Sequence, residues 1–198
     1  MWYWILRVAL IVISKLFFHF KVEGLENIPK KSNFIIVSNH VSFLDPLAIM
    51  AAVPRKIHCI ALRVLYKIPW IKWFLYMVEA LPSGRISRKA VHVLTNNNNL
   101  GLFPEGGVSR DGKLGEFRRG VALLALKTGR PVVPCAVFGT YDSLPFGAKF
   151  PKLFMPIKVR IGKPTYILKE FDEIIDDVYL IQGVFRIRNS IKEMLDAG

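Results

Sequence analysis

Between residues 34 and 161, short aliphatic runs alternate with segments of helical period. Phe34–Ser38 (FIIVS), Lys56–Ala61, Val78–Leu81, Gly101–Phe103 and Val132–Phe138 read as buried strands. Ile157–Ile161 (IKVRI) alternates and reads as a strand with one wet face. Between them Pro46–Ala52, Ser87–Asn96 and Phe117–Thr128 carry helical patterns, the last closed by Gly129 and Pro131. Strand–helix alternation of this kind predicts an α/β fold: a single domain with a mostly parallel central sheet flanked by helices. Lys169–Leu195 predicts a terminal helix, broken near Gly183. No repeat or composition break marks a second domain. The expected division is an N-terminal interfacial helix segment over 1–24 and the α/β domain over 25–198.

Charge narrows the function. The chain has 198 residues, a net charge of +13 and 52% hydrophobic residues. A disordered basic tail would lack the apolar surface to offset the entropy of ordering. A polytopic membrane protein would show uncharged runs of about twenty residues, and there are none. A basic, apolar-rich domain points to a polyanion, either nucleic acid or an anionic membrane surface. The charge is uneven: residues 1–169 hold 25 basic and 8 acidic side chains, residues 170–198 hold 3 and 7. Cys59 and Cys135 lie far apart with no His/Cys cluster, so neither a zinc site nor a disulfide framework is expected.

Met1–Phe20 (MWYWILRVALIVISKLFFHF) is too interrupted by Arg7 and Lys15 to span a bilayer or serve as a signal peptide. At about 100° per residue, Arg7, Ser14, Lys15 and His19 gather on one arc. The segment predicts an amphipathic helix at a membrane interface, with a core helix as the alternative. Arg63–Val78 repeats the mixture, with Arg63, Lys67 and Lys72 among five aromatic residues, and Pro69 divides any helix there. Arg7, Lys15, Lys67 and Lys72 are expected to hold the domain on an anionic bilayer.

Two motifs close predicted strands, where parallel sheets build their sites. Asn39–Pro46 (NHVSFLDP) follows the first strand and sets Asp45 five residues after His40. A carboxylate on one ring nitrogen fixes the tautomer and frees the other to accept a proton. Taken alone, this spacing favours a satisfied structural histidine over a base. Gly101–Gly107 (GLFPEGG) brings Glu105 and two glycines to the same sheet edge. Glycines allow close backbone approach to a ligand. Arg85, Arg110, Lys113, Arg118 and Arg119 surround it in sequence. Arg118 and Arg119 open a helix, where phosphate is favoured; a solvated basic loop is the alternative.

Together these blocks resemble the 1-acyl-sn-glycerol-3-phosphate acyltransferase family of glycerolipid acyltransferases. Asn39–Pro46 is similar to its N-H-x-x-x-x-D block. Arg63–Arg85, ending in Leu-Pro-Ser-Gly-Arg, resembles the second block, Phe103–Gly106 the third and Val133–Cys135 the fourth. The blocks occur in family order over roughly residues 25–168. The family usually continues Phe-Pro-Glu-Gly with Thr-Arg-Ser, whereas here Gly107-Val108-Ser109-Arg110 displaces the arginine.

The resemblance implies acyl transfer from acyl-CoA or acyl-carrier protein to the 2-hydroxyl of lysophosphatidic acid, making phosphatidic acid. His40 is then the general base and Asp45 its orienting carboxylate. Arg85, Glu105, Gly106, Arg118 and Arg119 are candidates to bind the acceptor. Arg85 is the first choice for its phosphate, and Glu105 for its hydroxyls or a basic neighbour. No metal, cofactor or nucleic acid is implied. The expected location is peripheral or monotopic, on the cytoplasmic face of the cell membrane. Two alternatives stay open. One is another acceptor: glycerol 3-phosphate, a lysophospholipid or a lyso-ornithine lipid. The other is a basic membrane-binding module without activity.

Overall fold

The computed structural model describes residues 2–84, 88–167 and 177–198. Helix α1 (Trp2–Phe18) leads into β1 (Lys21–Glu23) and β2 (Ile35–Ser38). Then come α2 (Asp45–Ala52), β3 (Ile57–Ala61), α3 (Pro69–Met77), β4 (Leu81–Pro82), α4 (Arg88–Thr95) and β5 (Asn99–Leu102). The chain continues through α5 (Gly120–Thr128), β6 (Val132–Phe138), the short α6 (Thr140–Ser143), β7 (Lys158–Ile161) and α7 (Asp177–Asp196).

The strands form one sheet in the order β1-β7-β6-β2-β5-β3-β4. Every neighbouring pair is parallel except β6 and β7, which run antiparallel. The mostly parallel sheet expected from the alternation is present. Its central strand is buried along its whole length because helices cover both faces. Phe34 and Ile36 pack with Ala48, Ile49 and Ala52 of α2 on one face. Ile35 and Val37 pack with Val121, Leu124 and Ala125 of α5 and Ile187 and Ile191 of α7 on the other. The connections leaving β2 and β5 run in opposite directions, to β3 and to β6 respectively. The crevice between these two strand ends is therefore the topological switch point, where open α/β sheets bind ligands.

Several expectations are corrected here. Lys21–Glu23 is a sheet strand paired with β7, so the sheet begins inside the expected 1–24 segment. The strand expected over Val78–Leu81 is only Leu81–Pro82, because α3 and its C-terminal turn consume Val78. Helix α7 runs unbroken through Gly183. There the missing side chain admits close packing: a Cβ would lie 3.2 Å from both Ala122 Cβ and Ile167 Cδ1.

The largest correction concerns α1. Arg7 does not face a bilayer. Its Nε donates to Val53 O at 2.9 Å and its Nη2 to Ala51 O at 3.2 Å, satisfying carbonyls left open at the end of α2. Ser14 also lies on the packed side, and Tyr3 is buried, its hydroxyl accepting the Ile57 N–H. The outward face instead carries Trp2, Ile5, Val8, Val12, Ile13 and Leu16. This helix packs Tyr3, Leu6, Leu10 and Phe18 inward beside Arg7 and leaves a second, broad apolar face exposed, with Lys15 and His19 also on the exterior. It is therefore apolar on both sides, unlike a solvated surface helix. Helix α3, which packs on the first half of α1, adds Trp70 and Trp73 at 73% and 67% exposure. No helix among the described residues is long and apolar enough to cross a membrane.

Candidate active site

The end of β2 and the start of α2 build the first half of the site. Asp45 is the first residue of α2, Pro46 follows it within the first turn, and the carboxylate is fully buried. Its Oδ2 accepts the N–H groups of Val41 and Ser42 at 2.7 and 2.8 Å. The same oxygen lies 3.0 Å from His40 Nδ1. The turn thus curls around the carboxylate, and the carboxylate holds the imidazole. A donated Nδ1–H leaves Nε2 as the nitrogen able to take a proton. Phe103 stacks on the imidazole, with ring centroids 4.1 Å apart. Asn39 points away from this chemistry: its amide makes a reciprocal pair with the Val137 backbone, tying β2 to β6. Ser42 Oγ donates to Leu144 O, so it too is a turn residue.

The loop after β5 supplies the second half. Glu105 Oε1 accepts the His40 N–H at 2.8 Å and Oε2 accepts the Gly115 N–H at 3.0 Å. Burial pushes its carboxyl above the ordinary range, with the two N–H donors opposing that shift. The Ser109 N–H donates to His40 O at 2.7 Å. His40 is therefore fixed through ring, N–H and carbonyl together. Gly106 sits at φ +80°, and a Cβ there would fall 2.4 Å from Arg118 Cζ. The guanidinium lies directly over this glycine.

An apolar cavity of about 1010 Å³ is lined in part by His40 and Arg118. Met50, Leu65 and Leu75 also line it. A second, more open cavity of about 540 Å³ lies across the Gly106–Val108 loop and also reaches Arg118. Arg118 makes no ion pair among the described residues. Arg119 turns away: its Nη1 lies 2.6 Å from Asp177 Oδ1 at the start of α7, and it lines neither cavity. Consecutive residues at a helix start diverge by about 100°, so the expected pair splits into one cavity residue and one surface ion pair. Arg110, the displaced arginine, rests over the Phe146 ring at 5.4 Å and also lines neither cavity. Arg85 lies outside the described residues. Cys59 lines the large cavity and Cys135 is buried in β6. Burial pushes both thiols up to about 12, which removes them as thiolate nucleophiles at neutral pH. No His/Cys/Asp/Glu cluster able to hold a metal occurs among the described residues.

Phe43, Gly115 and the cavity walls were missed by sequence reasoning. Phe43 carried a signal, being inside the His-Asp block. Gly115 carried none, because its N–H meets Glu105 only through tertiary folding.

A buried carboxylate, an imidazole and an apolar cavity thus meet at the parallel-sheet switch point. Similarity to known proteins identifies the class. Residues 19–138 match the family model described as Acyltransferase. The 1-acyl-sn-glycerol-3-phosphate acyltransferase of Bacillus subtilis (strain 168) is 30% identical over 167 residues, covering 80% of this chain and 79% of that protein. The chloroplastic 1-acyl-sn-glycerol-3-phosphate acyltransferase BAT2 of Brassica napus is 31% identical over 159 residues, covering 76% of this chain and 46% of that one. The crystal structure of the 1-acyl-sn-glycerophosphate (LPA) acyltransferase PlsC from Thermotoga maritima superposes with a TM-score of 0.72 at 29% identity. It covers 95% of this chain and 79% of that chain. The chain belongs to the Acyltransferase family. It spans about half the length of the first curated relatives it matches.

Proposed function

We propose that this protein transfers a fatty acyl group from acyl-CoA or acyl-carrier protein to the sn-2 hydroxyl of 1-acylglycerol 3-phosphate, making phosphatidic acid. The observation that carries this reading is the 3.0 Å His40–Asp45 contact, with His40 lining an apolar cavity of about 1010 Å³. An alcohol is a weak nucleophile at neutral pH. His40 Nε2 takes the hydroxyl proton as the oxygen attacks the thioester carbonyl, and Asp45 stabilises the imidazolium. The tetrahedral oxyanion then collapses. The C–S bond breaks, and the imidazolium returns its proton to the departing thiolate. No acyl-enzyme is needed. Gly107 and Val108 line the cavity, and their N–H groups, which have no acceptor among the described residues, are assigned to the oxyanion.

Arg118 lines both cavities and is assigned to substrate phosphate together with Arg85. Glu105 acts on His40 through the backbone and is a positioning residue in this reading. The outward apolar faces of α1 and α3 support a seat on the cytoplasmic face of an anionic membrane, where the lysophosphatidic acid acceptor resides.

Purified His40→Ala and wild type are to be compared with lysophosphatidic acid and a thioester donor. A loss of roughly 10²–10⁴-fold is expected; comparable turnover in a folded variant would remove the base assignment. Arg118→Gln should raise the acceptor KM more than the donor KM. Because Arg110 packs on Phe146 and not in the cavity, the same assay should be run with glycerol 3-phosphate and lysophospholipid acceptors. Faster turnover on either would replace the acceptor named above.

A further inference from the structure

The segment between α6 and β7, residues 144–156, reads LPFGAKFPKLFMP and holds two lysines and no acidic residue. Phe146, Phe150, Leu153 and Phe154 are all exposed, Phe150 at 83%. Single exposed apolar residues need no explanation, but a cluster of this size marks an interaction surface. The segment is fastened. The Lys152 N–H donates to Ser143 O at 2.8 Å, Ser143 Oγ donates to Lys152 O at 2.9 Å, and the Phe154 N–H donates to Phe17 O at 2.6 Å. Phe154 holds φ at +63°, a conformation that a bulky residue seldom adopts. The backbone is thus held in place with the aromatic rings displayed.

Two ring contacts tie this surface to its surroundings. Phe154 lies 6.2 Å from Phe17 at the end of α1. Phe146 lies 6.4 Å from Phe43, which lines the large cavity beside His40. Helix α3 packs on the other end of α1, against Tyr3, Leu6 and Leu10. The helix between them is about 25 Å long.

We infer that residues 144–156 are a second bilayer-inserting element, at the far end of α1 from α3. Phe150, Leu153 and Phe154 enter the acyl boundary of an anionic membrane, and Lys149 and Lys152 meet its phosphates. The inference rests on the membrane reading of α1 and α3 and adds a distinct contact. Two observations favour lipid over a protein partner. The exposed Phe154 ring adjoins the exposed Phe17 at the end of α1, and the apolar tips are interleaved with lysines, which are depleted in protein interfaces.

The test uses the full chain and vesicles of equal phosphatidylglycerol and phosphatidylcholine. Phe150→Ser/Leu153→Ser, and Phe150→Gln as a milder variant, should partition about tenfold more weakly. Thermal unfolding and turnover on a water-soluble short-chain acceptor should stay unchanged. Trp70→Ser/Trp73→Ser serves as the parallel probe of α3. If the α3 variant loses partitioning and the loop variants do not, the inference is overturned while the membrane reading stands. If neither loses it, both fall. Loss on Lys149→Gln/Lys152→Gln but not on the Phe150 variants would refute insertion. A raised KM for a carrier-protein thioester with partitioning intact would make the surface a site for an acidic protein and would also overturn the inference.

Discussion

Asp45→Asn is the most informative single change. The amide is nearly isosteric, so its oxygen can still accept the Val41 and Ser42 N–H groups that shape the turn. What disappears is the negative charge facing the imidazolium that forms as His40 takes a proton. Contact between Nδ1 and Oδ2 is at 3.0 Å. With the ring charge spread over both nitrogens, the effective separation is about 4 Å, for which Coulomb's law gives roughly 4 kcal/mol at an effective dielectric of about 20. Proton transfer is partial in the transition state, so about 2–4 kcal/mol of differential stabilisation is lost. That is roughly a 30- to 1000-fold fall in kcat. KM for both substrates should move little, because neither touches Asp45, which is fully buried. Single-turnover kinetics on vesicles, with folding checked by circular dichroism, isolates the chemical step. A folded variant with kcat within threefold of wild type would refute the orienting role. So would a loss confined to KM.

Other consequences are smaller but separable. Gly106→Ala places a Cβ at φ +80° and 2.4 Å from Arg118 Cζ, costing about 1–3 kcal/mol and pushing the guanidinium aside; acceptor titrations should show a raised KM. Arg7→Leu removes two charge-assisted hydrogen bonds to the end of α2. Chemical denaturation should show a loss of about 2–4 kcal/mol, with vesicle partitioning of the folded fraction unchanged. Burial holds the Glu105 carboxyl above its ordinary range. As pH rises from about 4.3, the unfolded chain gives up this proton first. The folded state then binds more protons, and stability falls until the folded carboxyl has also ionised. Glu105→Gln should flatten that slope, as read by urea titration across the window.

The two motifs were legible because each of them is local in the chain. His40 and Asp45 lie five residues apart, and Phe103 to Gly106 are consecutive. Each block also followed a readable strand, so a parallel sheet had to bring both to one edge. The basic residues were not legible in the same way. Arg118 and Arg119 are adjacent and chemically identical, yet one overlies Gly106 and the other pairs with Asp177. Sequence gives such residues the same weight. Only the rotation of the chain as it enters α5 separates them. Glu105 shows the same limit. Its residue type suited acceptor hydroxyls, while its observed partners are two backbone N–H groups from distant segments.

By itself the sequence determined the α/β class, the buried central strands and the His-Asp block, since these follow from local periodicity and short-range spacing. It also determined that a basic, apolar-rich surface exists. Which way that surface faces was decided only by the tertiary structure. Periodicity groups Arg7, Ser14 and Lys15 on one side of α1 but carries no sign for inside or outside. The open carbonyls at the end of α2 draw Arg7 inward, because leaving them without a donor is costly, while Trp2, Val8 and Leu16 stay on the outer side and Lys15 remains exposed.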